Sequence, residues 1–116
     1  MSVLENDKKT IAKIIEYCLR ITNTVERFGD SWDSFCSDCD YQNSICMSIL
    51  QIGEFAGKPS DEFKEEYPDT NWRAIRGMRN IFAHDYGSMD LERTWDTVKC
   101  DIPALKEYCE TLVSKL

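Results

Sequence analysis

Apolar residues recur at steps of three and four along this chain, and that spacing constrains its fold more than any other feature. The longest such run, near the N-terminus, comprises Ile11, Ile14, Ile15, Cys18, Ile21, Val25 and Phe28. Steps of three or four residues return to the same side of an α-helix, whereas a half-buried strand requires strict alternation. No segment alternates in that way, and no repeat occurs. The pattern predicts an all-α protein whose first helix spans roughly residues 5 to 28 and stops at Gly29.

Capping and helix-breaking residues divide the next part of the chain. The polar segment 30–40 is predicted to be a connection with one helical turn at most. A second helix ends at Gly57 and carries an apolar stripe made of Ile45, Ile49, Ile52 and Ala56. Ser60 can cap a short acidic helix that Pro68 stops. A further helix is predicted from a cap at Thr70 or Asn71 to about Ala83.

Aspartates mark the starts of the remaining predicted helices. Asp90 can cap the segment "LERTWDTVKC", and Asp101 can cap a last helix that tolerates Pro103 in its first turn. That helix has an apolar stripe consisting of Leu105, Tyr108, Cys109, Leu112 and Leu116. The simplest architecture is an antiparallel bundle of four main helices plus a short extra helix. At 116 residues, the chain 1–116 is predicted to be one domain with its own core.

Charge and cysteine content restrict the classes of function. The net charge of −7 argues against broad, nonspecific nucleic-acid binding, so any such activity needs a local basic site or a partner. No apolar run is long enough to cross a bilayer and the N-terminus does not resemble a secretory signal, so we expect a cytoplasmic protein without membrane contact. The six cysteines are then expected to be reduced. The spacing of Cys36 and Cys39 suits half a zinc site, but no second pair completes it.

The segment 72–86 contains the only histidine of the chain. On an ideal helix, with about 100° per residue, Trp72, Ile75, Met78 and Phe82 share the expected core side. Arg73, Arg76, Asn80 and His84 fall on the opposite side, and Arg79 lies between the two, near the direction of Tyr86. Several guanidinium groups, an amide and an imidazole are therefore expected near one helix end.

This arrangement has two interpretations. Arginines beside an apolar stripe commonly form a solvated surface, and a histidine in a last helical turn can simply complement the helix dipole. Alternatively, arginine holds phosphate oxygens in a rigid fork, and histidine transfers protons near neutral pH. The second interpretation predicts metal-free RNA cleavage, in which a base takes the 2′-hydroxyl proton and that oxygen attacks phosphorus. Because one chain holds one histidine, both an acid and a base require two His84 side chains across a dimer axis.

The stretch "RNIFAHDYG" resembles the Arg-x4-His-x-Tyr signature of HEPN-domain ribonucleases, in the subfamily of HepT toxins. The match consists of Arg79, His84 and Tyr86, with Asn80 completing the usual Arg-Asn pair and Trp95 downstream. The similarity spans most of the chain and is strongest from about residue 45 to 113.

The resemblance implies a HEPN-like helical fold, a homodimer, and metal-independent endoribonuclease activity with Arg79 and His84 as catalytic residues. Arg73, Arg76 and Asn80 are expected to bind RNA phosphates, with tRNA and mRNA as candidate substrates and with neither cofactor nor metal ion. The resemblance also implies a toxin–antitoxin pair. Its partner would be an MntA-type minimal nucleotidyltransferase that transfers AMP to Tyr86. The alternative is a noncatalytic HEPN module that binds a nucleotidyltransferase or a nucleotide without cutting RNA.

Overall fold

A computed structural model describes residues 3–68, 72–77 and 90–116, and every regular element within these ranges is helical. The elements are α1 (Val3–Phe28), α2 (Trp32–Cys36), α3 (Cys39–Ala56), α4 (Asp61–Glu66), α5 (Trp72–Gly77), α6 (Leu91–Asp96) and α7 (Ile102–Lys115), with a π-helical turn, Thr97–Asp101, between the last two. The predicted all-α fold is confirmed, including one short helix inside the polar connection 30–40.

The long helices α1 and α3 pack antiparallel. The Thr24 and Ser44 hydroxyls lie 3.3 Å apart near one end, and the rings of Tyr17 and Phe55 stack at 6.0 Å further along. Helix α7 packs along another side of α1. The core between the three helices is formed by Ile11, Ile14, Cys18 and Ile21 of α1, Ile45, Ile49 and Ile52 of α3, and Ile102, Leu105, Cys109 and Leu112 of α7, all buried. The predicted apolar stripes therefore meet in a single core.

Side-chain caps begin several helices, because the first backbone N–H groups of a helix have no partner within it. The Ser60 hydroxyl accepts from the Phe63 N–H at 3.1 Å, and the Asp90 carboxylate accepts from the Arg93 N–H at 3.1 Å. Both predicted caps are confirmed. The N-terminus of α3 has a similar cap, in which Asp38 accepts from the backbone of Asp40 and Tyr41.

The predicted cap at Asp101 is wrong. This residue has helical backbone angles (φ −75°, ψ −41°) and its side chain makes no capping hydrogen bond. The helix continues from α6 into α7 through the π turn, where the Ile102 N–H donates to the Thr97 carbonyl. A proline has no N–H, and its ring collides with the carbonyl four residues earlier in a regular helix. The wider π turn accommodates Pro103 without ending the helix.

An aromatic cluster closes the end of the bundle where α1 turns into α2. Phe35 stacks on Trp95 at 5.2 Å and meets Tyr41 edge-on at 5.2 Å. The Tyr41 hydroxyl donates to the Gly29 carbonyl at 3.0 Å. Gly29 has a positive φ of 112°, which L-residues rarely adopt, and this conformation reverses the chain after α1. The cluster fixes the turn and joins α6 to the bundle.

A buried carboxylate ties α1 to the start of α4. Asp7 is only 4% exposed. Its two oxygens accept from the Ser60 backbone N–H and from the Ser60 hydroxyl, both at 2.9 Å. Since charge-assisted hydrogen bonds are stronger than neutral ones, this contact sets where α4 begins.

Within the described ranges, no helix is both long enough and apolar enough to span a bilayer.

Candidate active site

Aromatic contacts anchor the start of α5, which carries the first predicted phosphate-binding residues. The Phe63 ring of α4 lies 5.9 Å from the Trp72 ring and 4.8 Å from the Tyr67 ring. The Trp72 indole N–H donates to the Tyr67 carbonyl at 3.3 Å. This arrangement satisfies the one polar atom of a buried indole and fixes the direction in which α5 leaves α4.

The two sides of α5 divide as the sequence predicts. Trp72 is 7% exposed and Ile75 is 6% exposed, and both pack into the core. Arg73 and Arg76 are exposed. With these arginines three residues apart on one helix, their guanidinium groups occupy neighbouring positions on its solvent side. The predicted division is confirmed for these four residues, whereas Met78 and Phe82, the rest of the predicted stripe, lie outside the described residues.

Arg76 also contacts the end of α3. The Arg76 side chain lies against Gly57. If Gly57 carried a Cβ atom, that atom would be 3.4 Å from Arg76 Nε and 3.5 Å from Arg76 Cδ. Gly57 follows the last turn of α3, where carbonyl groups give the helix a partial negative charge. A guanidinium is favourable there, and the following residue, Lys58, adds another positive charge. This end of α3 therefore brings two positive side chains, Arg76 and Lys58, next to Gly57, with the carboxylate of Glu54 in the same helical turn.

The remaining predicted site residues lie outside the described residues. Arg79, Asn80, His84 and Tyr86 all belong to the range 78–89. Their convergence with Arg73 and Arg76 stays a prediction. The helix α5, which comes immediately before them in the sequence, is anchored by the contact between Trp72 and Phe63.

The cysteine pair at 36 and 39 spans a junction between two helices. Cys36 is the last residue of α2, and Cys39 is the first residue of α3. Among residues 3–68, 72–77 and 90–116, no three histidine, cysteine, aspartate or glutamate side chains are grouped so that they could hold a metal ion. Burial, with nearby Asp33 and Glu92, raises the pKa of the Cys36 thiol, which disfavours the thiolate that metal ions bind.

Sequence reasoning did not single out the surface between α1 and α3. A groove there is lined by Tyr17, Arg20, Asn23, Thr24, Arg27, Ser44, Met47 and Ser48. Arg20 and Arg27 are both exposed. Because they are seven residues apart on a predicted helix, the sequence could have shown that Arg20 and Arg27 share one side of α1. It could not have shown which residues of α3 complete the groove, because that depends on how the two helices pack.

Comparison with known proteins identifies the family. The family model described as "Ribonuclease HepT-like" matches residues 8–112, which is nearly the whole chain. The chain belongs to the HepT-like ribonuclease family. The resemblance in the segment 79–86 is therefore part of a similarity that includes α1, α3 and α7.

Individual relatives are similar over comparable lengths. "Probable ribonuclease HepT" of Thermococcus cleftensis is 31% identical over 102 residues, covering 88% of each chain. "Putative RNase" of Caldanaerobacter subterraneus subsp. tengcongensis is 24% identical over 112 residues, covering 97% of this chain and 98% of the relative. A Methanocaldococcus jannaschii protein named "Gamma-glutamylcyclotransferase and putative RNase" is 29% identical over 111 residues, and the chain spans 50% of its length. No solved structure matches significantly.

Proposed function

We propose that this protein is a metal-independent endoribonuclease that acts as a homodimer, with Arg79 and His84 of both subunits in a shared cleft. The observation that carries the proposal is the sequence Arg-x4-His-x-Tyr, at residues 79–86, in a chain that belongs to the HepT-like ribonuclease family over residues 8–112. The exposed arginines of α5 support it, because Arg73 and Arg76 come just before the motif in the sequence and can bind RNA phosphates.

The chemistry requires no group from outside the protein and its RNA. His84 of one subunit takes the proton of the 2′-hydroxyl, and the resulting oxygen attacks the adjacent phosphorus. Arg79 stabilises the negative charge that develops on the phosphate oxygens. The bond from phosphorus to the 5′-oxygen breaks, and His84 of the partner subunit donates a proton to that oxygen. The products are a 2′,3′-cyclic phosphate and a 5′-hydroxyl.

The dimer follows from the count of proton carriers. The chain has one histidine, and the reaction uses one base and one acid. A two-fold axis brings the same patch of both subunits together, which supplies the second imidazole and a second Arg79. Arg73, Arg76 and Asn80 then bind phosphates on either side of the scissile bond.

Regulation is proposed to act on Tyr86 within a toxin–antitoxin pair. An MntA-like nucleotidyltransferase transfers AMP from ATP to the tyrosine oxygen and releases pyrophosphate. The added phosphate is negatively charged and two residues from His84. It would occupy the cationic subsite formed with Arg79 and repel an RNA phosphate.

The central test is His84→Ala. We expect RNA cleavage to fall by a factor of about 10² to 10⁴, because a general base or acid contributes about that much. Circular dichroism and light scattering should show the same helical content and dimer mass as the wild type. Asn43→Ala, at an exposed position of α3, is the matched control and should cleave normally. A folded, dimeric His84→Ala protein with normal cleavage would contradict the proposal, as would wild-type activity abolished by EDTA.

A separate measurement tests the regulation. The protein is co-expressed with a nucleotidyltransferase of the MntA type, and its intact mass is determined. We expect the addition of one or more AMP groups on the peptide that contains Tyr86, and loss of cleavage by the modified protein. Unchanged mass in the presence of an active transferase would remove this part of the proposal and leave the nuclease activity open to its own test.

A further inference from the structure

The groove between α1 and α3 is an uncommon surface for so acidic a chain. Its volume is about 520 Å³, and its eight lining residues include two arginines and no carboxylate. The protein as a whole has 21 acidic and 14 basic residues. Asn23 lies between the two arginines in the sequence, while the Thr24 hydroxyl already donates to the Arg20 carbonyl at 2.8 Å and lies 3.3 Å from the Ser44 hydroxyl. The groove therefore offers positive charge and the amide group of Asn23.

The α1 side of this groove is a single helical stripe. Tyr17, Arg20, Thr24 and Arg27 follow one another at steps of three and four residues, which places them within about 80° on the helix. Arg20 and Arg27 are separated by about 10 Å along the axis. A strand lying in the groove can therefore reach both guanidinium groups with different phosphates.

The local charges leave a positive excess. Arg20 contacts Glu16 at 3.2 Å, and the same carboxylate also contacts Lys13 at 3.1 Å. One negative charge is thus shared between two positive ones. The Arg20 guanidinium lies 4.8 Å from the centre of the Tyr17 ring, and its side chain is 57% exposed. Such a stacked arginine keeps free N–H groups for an anion.

Exposed apolar surface adjoins the arginines. Met47 of α3 is 57% exposed and lines the groove opposite Tyr17 and Arg20. Surfaces that bind single strands without sequence preference combine a cationic groove for the backbone with side chains that contact the bases. Here the cationic part is supplied by Arg20 and Arg27, and the contact with bases is supplied by Met47, because the Tyr17 ring already packs against Phe55 and Arg20.

We infer that the groove between α1 and α3 binds single-stranded RNA, with its phosphates on Arg20 and Arg27 and its bases against the exposed Met47 side chain. This inference rests on the proposed function, which makes RNA the substrate. The groove would add phosphate contacts to those proposed for Arg73, Arg76 and Asn80. It would also explain how a protein with a net charge of −7 retains a polyanion.

A second copy of the chain is a poorer occupant of the groove. A two-fold interface pairs each patch with itself, so two copies would bring the four arginines of their grooves into one contact whose lining has no carboxylate. Like charges in such a contact are unfavourable. RNA offers a regular series of negative charges instead.

The experiment measures binding of a fluorescein-labelled 12-nucleotide 2′-O-methyl RNA, which lacks the attacking hydroxyl and stays intact. Arg20→Gln/Arg27→Gln is compared with Arg93→Gln/Lys115→Gln, which removes the same charge from exposed positions outside the groove. Each phosphate contact to a single strand contributes about 0.7 to the slope of log K against log salt concentration. We expect the groove variant to lose about 1.4 from this slope and to bind about 25-fold more weakly at 0.1 M salt. The control should keep the slope and stay within about threefold of wild-type affinity.

Several results would overturn the inference. These are equal effects of the two variants, an unchanged slope in the groove variant, or no salt-dependent binding by the wild type. If the groove variant keeps normal RNA affinity but changes its oligomeric mass, the groove is an interface between copies of the chain. If it keeps normal RNA affinity but no longer binds an acidic protein that the wild type binds, the groove is a contact for that protein. Cleavage of the corresponding 2′-hydroxyl RNA is followed in parallel. Its absence in the wild type refutes the proposed activity, whereas normal cleavage and binding by the groove variant refutes only this inference.

Discussion

Replacing Asp7 tests how the start of α5 is positioned. Its carboxylate accepts two hydrogen bonds from Ser60, both at 2.9 Å, and the Ser60 hydroxyl also caps α4 by accepting from Phe63. Phe63 in turn contacts Trp72, the first residue of α5. Loss of the carboxylate therefore affects a chain of contacts that ends at the helix carrying Arg73 and Arg76.

The expected magnitude follows from these contacts. Hydrogen bonds to a charged group contribute about 1.5 to 3 kcal/mol each, so two give an upper limit of about 6 kcal/mol. Ser60 is only partly buried, so water can replace some of what Asp7→Ala removes. We expect a loss of about 3 kcal/mol in the free energy of unfolding, which for a domain of this size lowers Tm by about 12 °C. Asp7→Asn keeps the shape and one acceptor, and should cost about 1 kcal/mol.

Urea denaturation followed by circular dichroism measures both variants, with Glu65→Ala as the control, because Glu65 is exposed on α4 and lies away from its first turn. The control should stay within about 0.5 kcal/mol of the wild type. An Asp7→Ala protein less than about 1 kcal/mol below wild type, or one equal to Glu65→Ala, would refute the view that this carboxylate holds α4 in place.

Three further changes test other parts of the molecule. Gly29→Ala should lower the free energy of unfolding by about 1 to 3 kcal/mol, because φ is 112° and the new Cβ would lie 2.9 Å from the Ser34 hydroxyl oxygen. Urea denaturation measures this loss, and an unchanged stability would contradict the prediction. Burial raises the pKa of Cys18 and of Cys109 from 9.0 to about 12, so the folded state keeps both thiols protonated while the unfolded chain ionises. Their contribution to stability should be complete below about pH 9 and lost by about pH 12, which denaturation across this range measures against a Cys18→Ala/Cys109→Ala variant that lacks the effect. Arg79→Lys should impair RNA cleavage strongly, since an ammonium group does not reproduce the bidentate fork, and near-normal kcat/KM would count against phosphate binding by Arg79.

Local patterns in the sequence predicted the helices well because caps and apolar stripes act over a few residues. The Ser60 and Asp90 caps and the opposed sides of α5 are of this kind. Contacts between distant segments cannot be predicted from such local patterns. Asp7 and Ser60 are 53 residues apart, and the residues around each of them do not indicate that the two will form a hydrogen bond.

Asp101 shows how a local rule can mislead. An aspartate two residues before a proline is a typical helix start, yet here the helix runs on through a π turn. The helix continues because two contacts must form at once: Trp95 of α6 stacks on Phe35, and Leu105 and Leu112 of α7 pack into the core. Both contacts depend on how α1, α2 and α3 pack, which the residues around Asp101 do not encode. For the candidate site, the sequence predicted the placement of Arg73 and Arg76, while the α1–α3 groove depends on which helices become neighbours.

The π turn holds one residue more than a regular helical turn, and its main consequence concerns Pro103. Deleting one residue between 97 and 101 would restore a regular helix in which α6 and α7 keep the same sides toward the bundle. Trp95 would still stack on Phe35 while Leu105 stayed inside. The Pro103 ring, however, would collide with a carbonyl of the restored helix, so the deletion should cost about 3 kcal/mol, and adding Pro103→Ala should recover most of that loss.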